Sequence, residues 1–256
     1  MKTGPTLESG RIKNGAGVEL AWQRLGGRSP TVVFLPGYRS DMTGDKAQRL
    51  AAICHARGQG LLLFDYAGHG QSGGTFEDGT VGSWTEDSLA AIDGLTQGPL
   101  VLVGSSMGGW IALLVALARP ARMAGLVGVA AAPDCTETLM WQEMSFEERR
   151  TLMDTGRLEV PSEYGDPVPI TRALIEDGRT RLLLGKPIAI SCPVRLLHGQ
   201  ADADVPWELA MRLLGRLTAP DVQLTLVKDG EHRMSRPQDL ALLEAAVCGL
   251  FGDDGA

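Results

Sequence analysis

The chain has 256 residues, 44% of them hydrophobic and 21% charged, with a formal net charge of −7. That balance fits one soluble globular domain with a sizeable core. The acidic surplus argues against a nucleic-acid binder or a polybasic membrane-surface protein.

In chain order, Leu7–Lys13 and residues 18–24 flank Asn14-Gly15, a dipeptide of hairpin turns, and predict an antiparallel pair added to one sheet edge. Short apolar runs then alternate with amphipathic segments. The runs are 31–35 (TVVFL), 61–64 (LLLF), 100–103 (LVLV), 126–130 (LVGVA), 194–197 (VRLL) and Val222–Val227. Most lack polar alternation, as strands buried on both faces do; the last alternates, as an edge strand would. The amphipathic segments are Asp45–Arg57, 83–95, Met107–Ala118, 207–217 and 238–251. This rhythm predicts βαβ units and an open, mostly parallel, doubly wound α/β sheet in a single domain, 1–256. Residues 134–191 break it, with helical stretches at 145–154 and 170–176 and a Pro-rich irregular piece at 160–169. They read as an inserted helical lid.

The longest apolar stretch, around residues 110–118, is too short to span a bilayer. MKTGPTLESGRIKNG at the N-terminus has neither a signal-peptide core nor Arg-rich amphipathy, so the expected location is cytoplasmic. Cys54, Cys135, Cys192 and Cys248 are scattered without a CxxC or a histidine at ligand spacing. They are expected as buried free thiols, with no metal.

The pattern G-x-S-x-G fits one register, Gly104-Ser105-Ser106-Met107-Gly108, which selects Ser106 as candidate nucleophile and makes Ser105 the x. A buried strand before it and a helix after it supply the context the motif requires. A sharp turn there lifts the hydroxyl above the sheet edge at a helix N-terminus, where amides favour developing negative charge. A plain structural turn is the alternative. Of the four histidines, His55 falls within a helix, while His69 and His198 fall in or beside turns. His232, in DGEHRM after the last strand, best leaves room for an acid between itself and Ser106 in the order nucleophile, acid, histidine. HGQADADVP offers Asp202 and Asp204. The G-x-x-D-x-x-V-P spacing favours Asp202, and Asp204 reads better as an N-cap or turn carboxylate. The acid's role would be to hold the imidazole tautomer. Oxyanion donors are expected from the amide of Met107 and from the loop Pro36-Gly37-Tyr38-Arg39, with Tyr38 the candidate amide. Arg39, Met140, Trp141 and Met144 are candidate substrate contacts; the inserted segment's Leu139, Met140, Trp141 and Met144 read equally as its own packing face.

Taken together, FLPGY, FDYAGHGQS, LVGSSMGGW, ARP, CPVRLLHG, VPW and HRM resemble the α/β-hydrolase superfamily of serine hydrolases over nearly the whole chain. Within it they look most like the palmitoyl-protein thioesterase and acyl-glucuronide esterase subfamily and its bacterial relatives. The resemblance implies hydrolysis of carboxylic esters or thioesters through Ser106, Asp202 and His232, oxyanion amides at Tyr38 and Met107, and no cofactor. The sequence departs from the wider superfamily where PG replaces the common HG of the oxyanion loop, and Arg39 and Asp41 place charges beside the site. The expected partner is a small or acylated substrate, with no nucleic acid and no stable membrane insertion. Alternatives are a peptidase or acyltransferase on the same triad, or a catalytically silent binding protein of this fold.

Overall fold

A computed structural model describes residues 7–162 and 165–251. Its main-sheet strands are β1 (Leu7–Lys13), β2 (Glu19–Leu25), β3 (Arg28–Leu35), β4 (Gln59–Phe64), β5 (Leu100–Ser105), β6 (Met123–Val129), β9 (Val194–Gly199) and β10 (Val222–Val227). They lie in the order β1-β2-β4-β3-β5-β6-β9-β10. β1 and β2 pair antiparallel, as do β2 and β4; every pairing from β4 through to β10 is parallel. The alternating strand β10 stands at one edge and the N-terminal pair at the other, both as the sequence predicts.

The apolar runs are continuous because successive residues feed two different cores. Val33, Leu35, Leu62, Phe64, Leu100 and Leu102 point to one face, which is covered by α2 (Val81–Leu95), α3 (Met107–Ala118) and α6 (Glu208–Arg216). Their neighbours Val32, Phe34, Leu61, Leu63, Val101 and Val103 point to the other, covered by α1 (Asp45–Arg57) and α7 (Pro237–Cys248). All twelve side chains are at most 3% exposed. The β2–β10 sheet therefore holds its C-terminal edge rigidly, and the loops leaving that edge carry the chemistry.

Two local expectations differ. The first hairpin is not a two-residue Asn-Gly turn. Lys13 pairs with Glu19, so residues 14–18 form the loop; Asn14 Oδ1 accepts the Ala16 and Val18 amides, and the positive φ falls on Gly17. The second difference lies between β6 and β9. A π-helical turn (Thr136–Trp141), α4 (Phe146–Thr155) and α5 (Arg172–Arg179) are present, but the Pro-rich piece is an antiparallel ribbon, β7 (Arg157–Ser162) with β8 (Gly165–Thr171). Prolines argue against a ladder strand, yet Pro167 and Pro169 share one parity of β8. Their carbonyls turn towards Arg39 and Tyr38, so these two prolines cost the ladder no amide. A Ser145–Glu148 capping box starts α4. Asp134, at φ 62°, joins the two ends of the segment by accepting the Leu183 and Leu184 amides at 2.7 and 2.9 Å.

Candidate active site

Ser106 sits between the end of β5 and the start of α3 with φ 54° and ψ −122°, a conformation costly for a residue with a side chain. The turn is held from several sides. The Ser106 amide donates to the Val129 carbonyl of β6 at 2.9 Å, and its carbonyl accepts from Gly109 and Ala132. Close packing explains the flanking glycines: a Cβ at Gly108 would stand 2.1 Å from the Leu35 carbonyl oxygen, and one at Gly104 2.3 Å from that of Gly108. Neither site has room for alanine.

His232 lies in the loop after β10, close over the end of β9, since a Cβ at Gly199 would overlap the Gly230 carbonyl at 2.1 Å. The His232 Nε2 is 3.1 Å from Ser106 Oγ, and its Nδ1 is 2.8 Å from Asp202 Oδ2. A carboxylate oxygen facing Nδ1 requires the proton there, which leaves Nε2 bare to accept the serine hydroxyl's proton. The Asp202 side chain is 0% exposed. Its Oδ1 accepts the Asp204 and Val205 amides at 2.9 and 2.8 Å. Burial pushes this carboxyl up, but bonds from His198, His232 and the Val205 amide pull it further the other way, well below the usual carboxylate range. The side chains of Ser106, Asp202 and His232 thus meet. Asp204 does not cap the next helix, because Trp207 stands at the N-cap of α6 without a side-chain cap bond. The turn carboxylate there is Asp202 itself.

The loop after β3 packs on the serine turn: a Cβ at Gly37 would lie 3.3 Å from Ser106 Cβ. Met107 opens α3, where first-turn amides lack intrahelical acceptors, and among the described residues neither its N–H nor that of Tyr38 donates to another group. The Tyr38 ring is wedged edge-on against Phe76 and Trp84, at 4.9 and 5.8 Å. Its hydroxyl donates to the Pro169 carbonyl at 2.7 Å, while Arg39 Nη1 donates to that of Pro167 at 3.1 Å. Burial, with Cys135 nearby, raises the Tyr38 hydroxyl's pKa far above its ordinary value. It remains a donor at any working pH.

Met144 is buried with Leu152, Ile170 and Ile175; Met140 and Trp141 pack against this cluster, and Met140 also reaches the main core, as Leu139 does. Trp141 lies under two guanidinium groups, Arg179 at 4.4 Å and Arg149 at 5.3 Å. His55 is on exposed α1 surface. His69 is buried among Tyr66, Phe76 and Trp84, and burial lowers its pKa. Cys54, Cys135, Cys192 and Cys248 carry free thiols. Asp202, Asp204 and His232 place metal-type donors within 4.8 Å of one another, but Asp202 and His232 turn theirs to each other, to Ser106 and to backbone amides. From the sequence His198 could approach the site but reads as serving turn geometry; the structure brings its Nε2 to 3.3 Å from Asp202 Oδ2, and its position four residues before that acid was the available signal.

The family described as "Serine aminopeptidase, S33" (Hydrolase_4) matches residues 28–171. The palmitoyl-protein thioesterase ABHD10, mitochondrial, of Bos taurus is 40% identical over 234 residues, covering 91% of this chain and 76% of that protein. A crystallised protein from Agrobacterium vitis S4 superimposes with TM-score 0.93 at 42% identity, covering 96% of this chain and 99% of that one. Alpha/beta hydrolase domain-containing protein 10 from mouse does so with TM-score 0.88 at 35% identity, covering 95% and 98%. The cytoplasmic expectation does not stand, because the bovine and human relatives are mitochondrial proteins. It rested on leader composition and reduced cysteines, and unpaired thiols do not separate one reducing compartment from another. The chain belongs to the α/β-hydrolase family of serine hydrolases and is an enzyme of esterase and thioesterase type.

Proposed function

We propose that the protein hydrolyses acyl esters and thioesters through an acyl-enzyme on Ser106. The observation that carries this is the continuous relay from Asp202 Oδ2 to His232 Nδ1 at 2.8 Å and from His232 Nε2 to Ser106 Oγ at 3.1 Å. Ser106 Oγ attacks the acyl carbonyl while His232 Nε2 takes its proton. The carbonyl oxygen, now negative, is received by the unengaged amides of Tyr38 and Met107. Collapse expels the alcohol or thiol, protonated by His232. Water then enters by the same route, with His232 again the base, and frees the acid. Asp202 stays ionised throughout and stabilises the imidazolium.

Residues 134–191 act as a lid over this edge, and its β8 is held by Tyr38 and Arg39. Thioesters enter the reading through the relatives, whose printed name is palmitoyl-protein thioesterase. A fluorophosphonate probe with wild type and Ser106→Ala, followed by a chain-length series of acyl esters and thioesters, tests it. Wild type is expected to label and turn over, and the variant to do neither; persistent labelling of Ser106→Ala removes the nucleophile from this serine.

A further inference from the structure

Asp202 is shared by two imidazoles. Besides His232, the ring of His198 approaches it, with Nε2 3.3 Å from Asp202 Oδ2 and 2.9 Å from the Val205 carbonyl. The His198 side chain is 1% exposed, and its Nδ1 is buried with no hydrogen-bond partner among the described residues. Both atoms facing Nε2 are acceptors, so Nε2 must carry the proton. The unpartnered Nδ1 is then a bare lone pair, which is the less costly way to leave that atom unmatched. His198 is thus a donor whose one N–H is bonded to the Val205 carbonyl and stands 3.3 Å from the acid. It stands next to last in β9, four residues before Asp202, so the strand itself fixes where this donor stands.

We propose that His198 is a positioning residue of the reaction: its Nε2–H anchors Asp202 Oδ2, the same oxygen that serves His232, and moderates the pull of that carboxylate on the imidazole. The inference rests on the Ser106–His232–Asp202 reading above. Oδ1 is already saturated by two amides, so Oδ2 carries the charge that His232 feels. A second donor on Oδ2 disperses that charge. It lets His232 accept the serine proton without holding it so tightly that the leaving group goes unprotonated. It also fixes the oxygen against rotation about the Asp202 side chain.

The sign of the effect follows. Activity at low pH is lost when His232 becomes protonated before substrate arrives. Without the His198 donor the imidazolium is better stabilised, and the acid limb of kcat/KM moves to higher pH. Among the described residues, charged or titratable groups near His232 include Asp204 on the acid loop, Glu231 and Arg233 beside it in sequence, and Lys46 of α1, whose Nζ donates to the Arg233 carbonyl. They are the same in every variant, so a difference between variants reports His198.

The test compares wild type, His198→Leu and His198→Gln on a soluble acyl ester across pH, with 15N-histidine NMR of wild type. Glutamine can place an N–H near the position of Nε2; leucine fills space and donates nothing. Expected are an acid limb displaced to higher pH in His198→Leu and restored in His198→Gln, and a wild-type His198 resonance of the Nε2–H tautomer. Equal losses of turnover in both variants with the limb unmoved would reduce His198 to packing. An Nδ1–H tautomer in wild type refutes the donor geometry even if His198→Leu does not fold. Labelling that survives in Ser106→Ala would instead strike the parent reading, leaving the tautomer result to stand by itself.

Discussion

Replacing Asp202 by asparagine tests the relay at its most buried point. The substitution keeps size and an Oδ1 able to accept the Asp204 and Val205 amides, and places an NH2 where Oδ2 now receives His232 and His198. Two donors would then face an NH2. His198 is tied to the Val205 carbonyl and keeps its Nε2 proton, whereas His232 can yield by moving its proton to Nε2. That tautomer donates to Ser106 instead of accepting from it, so the hydroxyl has no base. The expected loss is about four orders of magnitude in kcat, the size of a wrong-tautomer effect in a serine triad. Stability should fall too: the hydrogen bond from His232 and the close approach of His198 to a buried ionised oxygen, at about 1.5–3 kcal/mol each, give about 3–6 kcal/mol. For a chain of this length that lowers Tm by about 10 °C. Asp204→Asn, at an exposed position, should stay within about threefold of wild type in kcat. Kinetics on an acyl ester, alongside thermal melts and circular dichroism at 20 °C to show that Asp202→Asn is folded, make the comparison. If Asp204→Asn loses more activity than Asp202→Asn, the acid is Asp204 and the tautomer argument is wrong.

Tyr38→Phe removes the hydroxyl bond to the Pro169 carbonyl and keeps the ring packing on Phe76 and Trp84. It should cost about 1 kcal/mol and slow fluorophosphonate labelling several-fold, because the amide offered to the oxyanion is on the same residue. Unchanged melting and labelling would show that the β8 contact does not steady this loop. Trp141→Ala loses contacts with two guanidinium groups and with the Met144 cluster. An expected cost of about 2 kcal/mol lowers Tm by about 4 °C, with the acyl-length preference unchanged. A shifted preference would put the indole in the acyl pocket instead.

The main sheet was legible because two faces demand two cores. Runs such as 61–64 and 100–103 are apolar at every position only when helices cover both sides, and helix periodicity appears between them for the same reason. Ser106 was legible because the turn admits no Cβ at Gly104 or Gly108, so the chemistry of the site is written as glycine spacing. The segment between β6 and β9 was harder to read. Its ribbon carries prolines whose carbonyls accept from Tyr38 and Arg39, and its methionines and tryptophan pack a small cluster, a pattern that looks the same as a ligand-lining face in sequence. The His198 contact was hidden because one strand-end histidine looks like any other until its neighbour's burial is known.

Asp202 itself shows where sequence reasoning stops and geometry begins. Three buried aspartates follow strands at this edge, and each staples a loop by accepting backbone amides. Asp65 takes Met42 and Gln71, Asp134 takes Leu183 and Leu184, and Asp202 takes Asp204 and Val205. By residue type and turn chemistry the three are alike. Electrostatically, Asp65 and Asp202 diverge. Burial pushes the Asp65 carboxyl up, and its amide bonds do not reverse that, with Asp41 adding to the rise. Asp202 is as buried in its side chain but faces two imidazoles, which pull it down. An aspartate bound only by amides organises a loop. One that also keeps an oxygen for a histidine can hold a tautomer and stabilise an imidazolium, and of these three only Asp202 has that oxygen so placed.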